Sequence, residues 1–242
     1  MNWKICAILS GVMLLLSGCK DEKSSDVIKF GLSADYPPFE YYENGELKGF
    51  DVDLAHMVAS EMGKKAEFED MGFNAALVAL NGDSIQAVIS TVTSTPERRK
   101  NYDLSKCYYA ESLATVYNKK EPYATTGALS KGVNVACQLG TTMELWVKKQ
   151  ASDANLILMD KNPEMIEALK ADQIDCVVVD TVQAKAFCAN NPGLSYSVVA
   201  QTDEGYAIAF KKQSPLKDGA NAAIKKFEKN GDLEKLKAKW QL

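Results

Sequence analysis

The chain has 242 residues, 46% hydrophobic and 25% charged, an ordinary globular composition long enough for one large or two modest domains. A formal charge of −4 offers no basic surface to nucleic acid. The six cysteines lack a zinc spacing and the single histidine, His56, falls mid-helix as a surface residue, so Ser/His and metal chemistry find no support and neither a metal nor a cofactor is expected.

The first nineteen residues stand apart. Lys4 supplies a positive start, residues 5–16 form an apolar core too short to span a bilayer comfortably, and Leu16-Ser17-Gly18-Cys19 resembles a bacterial lipobox. Residues 1–18 therefore read as a lipoprotein signal peptide, with cleavage before Cys19 and lipidation of Cys19; the competing reading is a plain secretory signal. Residues 19–26 are polar and aperiodic, a flexible tether. The mature protein is expected outside the cytoplasm, held to a membrane through its anchor, with a charge of −5 once Lys4 is removed from the −4 total. Cys107, Cys137, Cys176 and Cys188 remain, read as buried free thiols; export also permits one disulfide of unspecified pairing.

Along the mature chain, residues 27–32 predict a strand running into Ser33-Ala34-Asp35-Tyr36-Pro37-Pro38-Phe39, a loop stiffened by two prolines. Asn44-Gly45 marks a hairpin turn, residues 51–62 a helix, 66–69 a strand, 74–80 a short helix and 86–92 the next strand. A second series follows: strand 133–137, helix 143–150, strand 155–159, a helix through Lys170, strand 174–179 ending in Asp180, and helix 181–189. Two such series with a break between them predict two α/β lobes. Residues 108–117 and 205–210 are extended, and helices 215–228 and 232–240 close the chain. If that tail packs on the first lobe, the chain crosses twice between lobes and makes a hinge and a cleft.

Ser90-Thr91-Val92-Thr93-Ser94-Thr95-Pro96-Glu97-Arg98-Arg99 concentrates hydroxyls at a strand end, a helix start at Thr95-Pro96, and the only two arginines of the chain. Such a turn suits an anion, carboxylate or phosphate, or is an ordinary turn with two solvated arginines. Ligand groups in α/β lobes gather beyond the carboxyl ends of strands. Those ends are Ser33 and Tyr36, Phe73, Ser90, Thr91 and Thr93 with Arg98, Gln138, Thr141 and Thr142, and Asp180. One cation facing one carboxylate suits a zwitterion and argues against a phosphate, which Asp180 would repel.

Tyr36-Pro37-Pro38-Phe39-Glu40, Gly49-Phe50-Asp51-Val52-Asp53-Leu54, Thr95-Pro96-Glu97-Arg98, Gln138-Leu139-Gly140-Thr141-Thr142 and Val177-Val178-Val179-Asp180 together resemble bacterial polar-amino-acid solute-binding proteins, the extracytoplasmic receptors of ABC importers. The resemblance runs from about Ile28 to Trp240. It implies the two-lobed type II periplasmic-binding-protein fold, each lobe a mostly parallel sheet flanked by helices, with a two-strand hinge, lobe 1 over 27–110 and 206–242 and lobe 2 over 111–205. It also implies a monomer that binds a free L-amino acid and delivers it to a membrane permease. By the same resemblance Arg98 pairs with the ligand α-carboxylate, helped by Thr93 and Thr142. Asp180 takes the α-ammonium, with Ser90 or Thr91 beside it. Tyr36 and Phe73 sandwich the side chain.

Met143 is read as packing and Arg99 as a solvated or inter-lobe residue. Ser33 stands where several relatives that bind basic or amide side chains carry an acid, a charge its hydroxyl cannot supply. Glu111 on the first crossing strand either supplies that charge or turns to solvent. The aromatic pair leans towards a basic or polar side chain, a cation–π effect of about 0.5–2 kcal/mol. The competing functions are a cyclohexadienyl dehydratase-like enzyme on the same fold, with Glu111 or Asp180 as general acid, and a sensing module.

Overall fold

The computed structural model describes residues 26–120 and 122–242, with the backbone alone at Asp203. The signal peptide, Cys19 and all of the tether but Asp26 lie outside the described residues. The chain runs β1 (Val27–Leu32), β2 (Asp35–Tyr36), β3 (Glu40–Glu43), β4 (Glu46–Lys48), α1 (Phe50–Glu61), β5 (Lys65–Asp70), α2 (Phe73–Asn81), β6 (Ala87–Val88), α3 (Pro96–Asn101), β7 (Tyr102–Leu104) and β8 (Tyr109–Asn118). It continues through β9 (Asn134–Gln138), α4 (Thr142–Gln150), β10 (Asn155–Met159), α5 (Asn162–Lys170), β11 (Cys176–Asp180), α6 (Thr181–Asn190), β12 (Leu194–Tyr206), β13 (Ala209–Lys211), α7 (Leu216–Asn230) and α8 (Asp232–Trp240).

Two five-stranded sheets result, ordered β5-β1-β6-β13-β7 and β10-β9-β11-β8-β12. In each, the three strands of the βαβ series are parallel and the two strands nearest the lobe crossing join antiparallel. Helices cover both faces, which is why the strands read as near-continuous apolar runs. On the first sheet, α1, α7 and α8 bury Leu54, Ile224, Phe227 and Leu236 in one cluster with Ile28 and Phe30, while α2 packs Leu77 and Leu80 over Val88 on the other side. In β11 the alternation sends Val177 and Val179 towards α5 and α6, and Cys176 and Val178 towards α4.

The C-terminal helices do return to the first lobe. The crossing consists of β8 paired with β12, where Tyr206 lies opposite Tyr109. The predicted strand 86–92 shortens to β6, because Thr91 takes a φ of 48° and turns the chain out of the sheet. The long strand β12 escaped the sequence reading, which saw extended chain only from residue 205; its two register shifts against β8 break the alternation that would announce a strand. Cys137 and Cys176 are buried, Cys188 half-buried and Cys107 exposed, all four as free thiols. His56 is exposed, its ring 5.1 Å from that of Phe68. Among the described residues no helix is long and apolar enough to cross a membrane.

Candidate functional site

The two distinctive lobe 1 motifs meet at Gly49. Its φ of 137°, with a Cβ that would fall 1.9 Å from the Phe39 carbonyl oxygen, admits only glycine. This close approach lets Phe50 and Asp51 donate their N–H groups to the Pro38 and Phe39 carbonyls at 3.0 and 2.9 Å, clamping the proline loop to the start of α1. Asp51 is thereby aimed under the Ser90–Arg98 turn. Its Oδ2 accepts the Thr91 N–H at 2.8 Å and the Tyr108 hydroxyl at 2.9 Å, holding Thr91 in its left-handed conformation. Burial raises the Asp51 carboxyl to about 7 despite these two donors. Glu40 lies in the same layer and accepts the Ser90 hydroxyl at 2.7 Å, while Ser90 Oγ accepts the Ser33 N–H at 3.1 Å. Burial, then the nearby Asp51, pushes the Glu40 carboxyl well up.

Above this layer the turn delivers Arg98. Thr95 caps α3 by accepting the Arg98 N–H at 3.1 Å. The guanidinium donates to the Thr93 carbonyl within its own lobe and across the cleft to the Gly140 carbonyl, each at 3.0 Å. It also lies 5.3 Å from the Phe73 ring centroid, so Arg98 itself covers one face of the ring expected to sandwich a ligand. Burial lowers the Arg98 pKa to about 10, opposed by Glu111.

Of the eleven predicted ligand residues, Tyr36, Phe73, Thr91, Thr93, Arg98, Gln138, Thr141 and Thr142 line one cavity between the lobes, of about 20 Å³. That is room for a single water, so an amino acid enters only when the walls part. Thr141 spends its side chain on the N-cap of α4, accepting the Glu144 N–H at 3.4 Å and donating to the Gln138 carbonyl at 2.7 Å. The Thr142 and Thr93 hydroxyls are 3.3 Å apart across the cleft. Gln138 donates to the Asp160 carbonyl at 2.9 Å and reaches Ser33 Oγ at 3.5 Å.

Ser33, Ser90 and Asp180 do not line the cavity. Ser33 and Ser90 are buried and tied to neighbouring polar groups, with the Ser90 hydroxyl on Glu40, so of the carbonyl or hydroxyl expected to meet the ammonium only a carbonyl is left to Ser90. Asp180 is buried at the end of β11, where Oδ1 caps α6 by accepting the Gln183 N–H at 2.8 Å and Oδ2 accepts the Tyr206 hydroxyl. Its backbone N–H donates to the Tyr36 hydroxyl at 3.3 Å. Burial raises its carboxyl, and the Tyr206 and Tyr36 hydroxyls offset part of that.

Residues 28–242 match the model of the bacterial extracellular solute-binding proteins, family 3. The chain belongs to that family. It is 34% identical to the arginine-binding extracellular protein ArtP of Bacillus subtilis, over 99% of this chain and 97% of the relative. Its structure resembles the amino acid ABC transporter substrate-binding protein AbpA of Streptococcus pneumoniae bound to L-arginine, with a TM-score of 0.82, 30% identity, and 87% and 92% of the two chains covered. An ancestral arginine-binding protein bound to glutamine gives a TM-score of 0.85 at 35% identity, covering 89% and 97%. The family and these relatives are solute-binding proteins, and the dehydratase alternative gains nothing from them.

In this solute-binding protein, several residues at the cleft escaped the sequence reading. Asn162 lines the cavity and donates to Asp35 Oδ1 at 3.1 Å, and Lys161 Nζ lies 3.8 Å from Asp35, 3.6 Å from Asp70 and 3.4 Å from Ser33 Oγ. They stitch lobe 2 to lobe 1 from the start of α5, where only a helix start was legible. Met143 and Val178 add apolar wall. Glu111, left open between pocket and solvent, is buried, and its Oε1 accepts the Thr93 hydroxyl at 2.9 Å. Arg99 is exposed.

Proposed function

We propose that this solute-binding protein captures a free L-amino acid with a basic or polar side chain between its lobes and passes it to the membrane permease of an ABC importer. It acts as a monomer outside the cytoplasm, tethered by lipid on Cys19 after removal of residues 1–18. Its lobes, 27–110 with 206–242 and 111–205, swing about the β8–β12 crossing.

The observation that carries the reading is Arg98, the half-buried guanidinium whose two inward donors rest on neutral carbonyls from both lobes. A carboxylate is the stronger partner for those donors and would draw the Gly140 turn onto itself. Thr91, Thr93 and Thr142 surround the carboxylate, and Asp180, outside the cavity while the walls are together, accepts the ammonium once they part. Tyr36 and Phe73 wall the side chain, and Ser33 and Gln138 offer it polar contacts at the lobe junction. With Arg98 given to the carboxylate, the cavity lining among the described residues offers no second cation to an acidic side chain, which favours a ligand of positive or neutral side chain. The ligands named for the similar proteins, arginine and glutamine, fit that class.

A thermal-shift screen of the standard L-amino acids tests the reading. A basic or polar amino acid should raise the melting midpoint saturably, by about 2.7 kcal/mol of linkage at a ligand concentration 100 times Kd, with one site by titration calorimetry. No stabilisation by any amino acid overturns it. Mass spectrometry of the N-terminal peptide tests the anchor: an acylated Cys19 supports it, and an unmodified one removes it.

A further inference from the structure

Glu111 is an acid at the cleft to which the amino-acid reading assigns no contact with ligand. It lies on β8 at the lobe crossing, 7% exposed. Oε1 accepts the Thr93 hydroxyl at 2.9 Å, and Oε2 is buried without a hydrogen-bond partner. Thr93 Oγ1 is in turn 3.3 Å from Thr142 Oγ1, both threonines line the cavity, and Arg98 sits on the Thr93 carbonyl. Glu111 therefore stands directly behind the hydroxyls that border the carboxylate end of the site.

A hydroxyl has one proton to donate, and an ionised carboxylate can only accept. While Glu111 is charged, Thr93 gives its proton to Glu111 and turns lone pairs towards the cavity, the wrong polarity for a ligand carboxylate. With a proton on Glu111 the bond reverses. Glu111 donates to Thr93, and Thr93 donates into the cavity, directly or through Thr142. We propose that Glu111 is a proton-linked positioning residue, its protonation turning the Thr93 hydroxyl into a donor for the carboxylate of the bound amino acid, so that capture takes up a proton. This rests on the amino-acid reading of the site.

The surroundings of Glu111 push the same way. Asp180, at the end of β11, faces it and already holds the single proton of the Tyr206 hydroxyl from β12. The Tyr36 hydroxyl, from the proline loop, adjoins both acids. Arg98 from α3 is the cation in range, itself also near Glu204 of β12. Burial first and Asp180 second hold the Glu111 carboxyl up at about 7, against the opposing pull of Thr93, Tyr206 and Arg98. Protonation also leaves Asp180 as the charged member of the pair, ready for an ammonium.

Titration calorimetry tests this with the amino acid giving the largest thermal shift in a standard set that includes L-arginine and L-glutamine. Titrations run from pH 6.0 to 8.0 in buffers of different ionisation enthalpy. Wild type should take up a proton near neutral pH and lose affinity about tenfold across that range. Glu111→Gln, whose amide N–H donates to Thr93 at every pH, should bind with the low-pH affinity throughout and without the proton uptake. Circular dichroism verifies that it folds. Tight wild-type binding with no proton uptake overturns this inference alone, as does a Glu111→Gln slope equal to wild type. Binding of no amino acid at any pH overturns the amino-acid reading and this inference with it.

Discussion

The turn that carries Arg98 and the turn that faces it across the cleft are built alike and used in opposite ways. In each, a threonine caps a short helix, Thr95 for α3 and Thr141 for α4, and accepts the backbone N–H three residues on. That third residue is Arg98 in one and Glu144 in the other. Glu144 bends back, its Oε2 accepting the Gly140 N–H at 2.8 Å in the manner of a capping box, while Arg98 reaches outward to the Gly140 carbonyl at 3.0 Å. The two side chains thus grip consecutive polar groups of one residue, the acid from within its lobe and the base from the other. The lobe 2 turn is stiffened by its own backbone, with Gly140 at a φ of 80°. The lobe 1 turn needs the buried Asp51 and Glu40 beneath it, because its left-handed residue is Thr91. One turn is a locally satisfied scaffold and the other a strained mount for a cation.

The largest effect should come from the outward-reaching member. Arg98→Lys keeps the charge and loses the planar fork, and is expected to weaken amino-acid binding by roughly 100-fold, within the 2–5 kcal/mol typical of truncating one partner of a buried charge pair. Titration calorimetry reads this, with an unchanged circular dichroism spectrum; near-wild-type affinity would remove Arg98 from the site.

A smaller effect separates the mounts. The Asp51 carboxyl is held at about 7 in the fold against 3.8 ordinarily, so the folded protein binds its proton more tightly than the unfolded chain does. Stability contributed by that proton is present below about pH 4, declines as pH rises towards 7, and is gone above about 8. Asp51→Asn should flatten part of this decline in urea midpoints measured from pH 5 to 8 while keeping an acceptor for Thr91 and Tyr108. An unaltered slope would show that the lobe 1 turn does not rest on a strained acid.

The smallest effect is the shared one. Thr95→Ala and Thr141→Ala should each cost about 1 kcal/mol in denaturant unfolding. For Thr141→Ala the ligand Kd should move only a few-fold, since that hydroxyl is committed to its cap. A loss of affinity far beyond the loss of stability would return Thr141 to direct ligand contact.

Much of this arrangement was legible in the chain. Thr95-Pro96 announced α3, the apolar run into Asp180 announced β11, and the convergence of strand ends gathered eight residues that do share one cavity. Ser90 and Asp180 sit outside that cavity, with side chains engaged by Glu40 and by Tyr206 with the α6 cap. Hydrogen-bond partners 50 residues apart for Ser90 and Glu40 leave no periodic trace. The Lys161 and Asn162 contacts with Asp35 were invisible for the same reason.

Sequence alone determined the two α/β lobes and the turn that gathers hydroxyls and both arginines, since these follow from hydrophobic period, caps and the scarcity of arginine, and it left the return of the tail conditional. Only the tertiary structure decided which buried polar groups meet. Whether Glu111 met solvent or Thr93 depended on the path of a crossing strand, and the layer of buried acids under Thr91 exists because Gly49 lets two backbones touch. Local propensity sets what each segment is. The donors and acceptors it finally meets are set by segments distant in the chain, where each buried polar group must find a partner or bear the cost of lacking one.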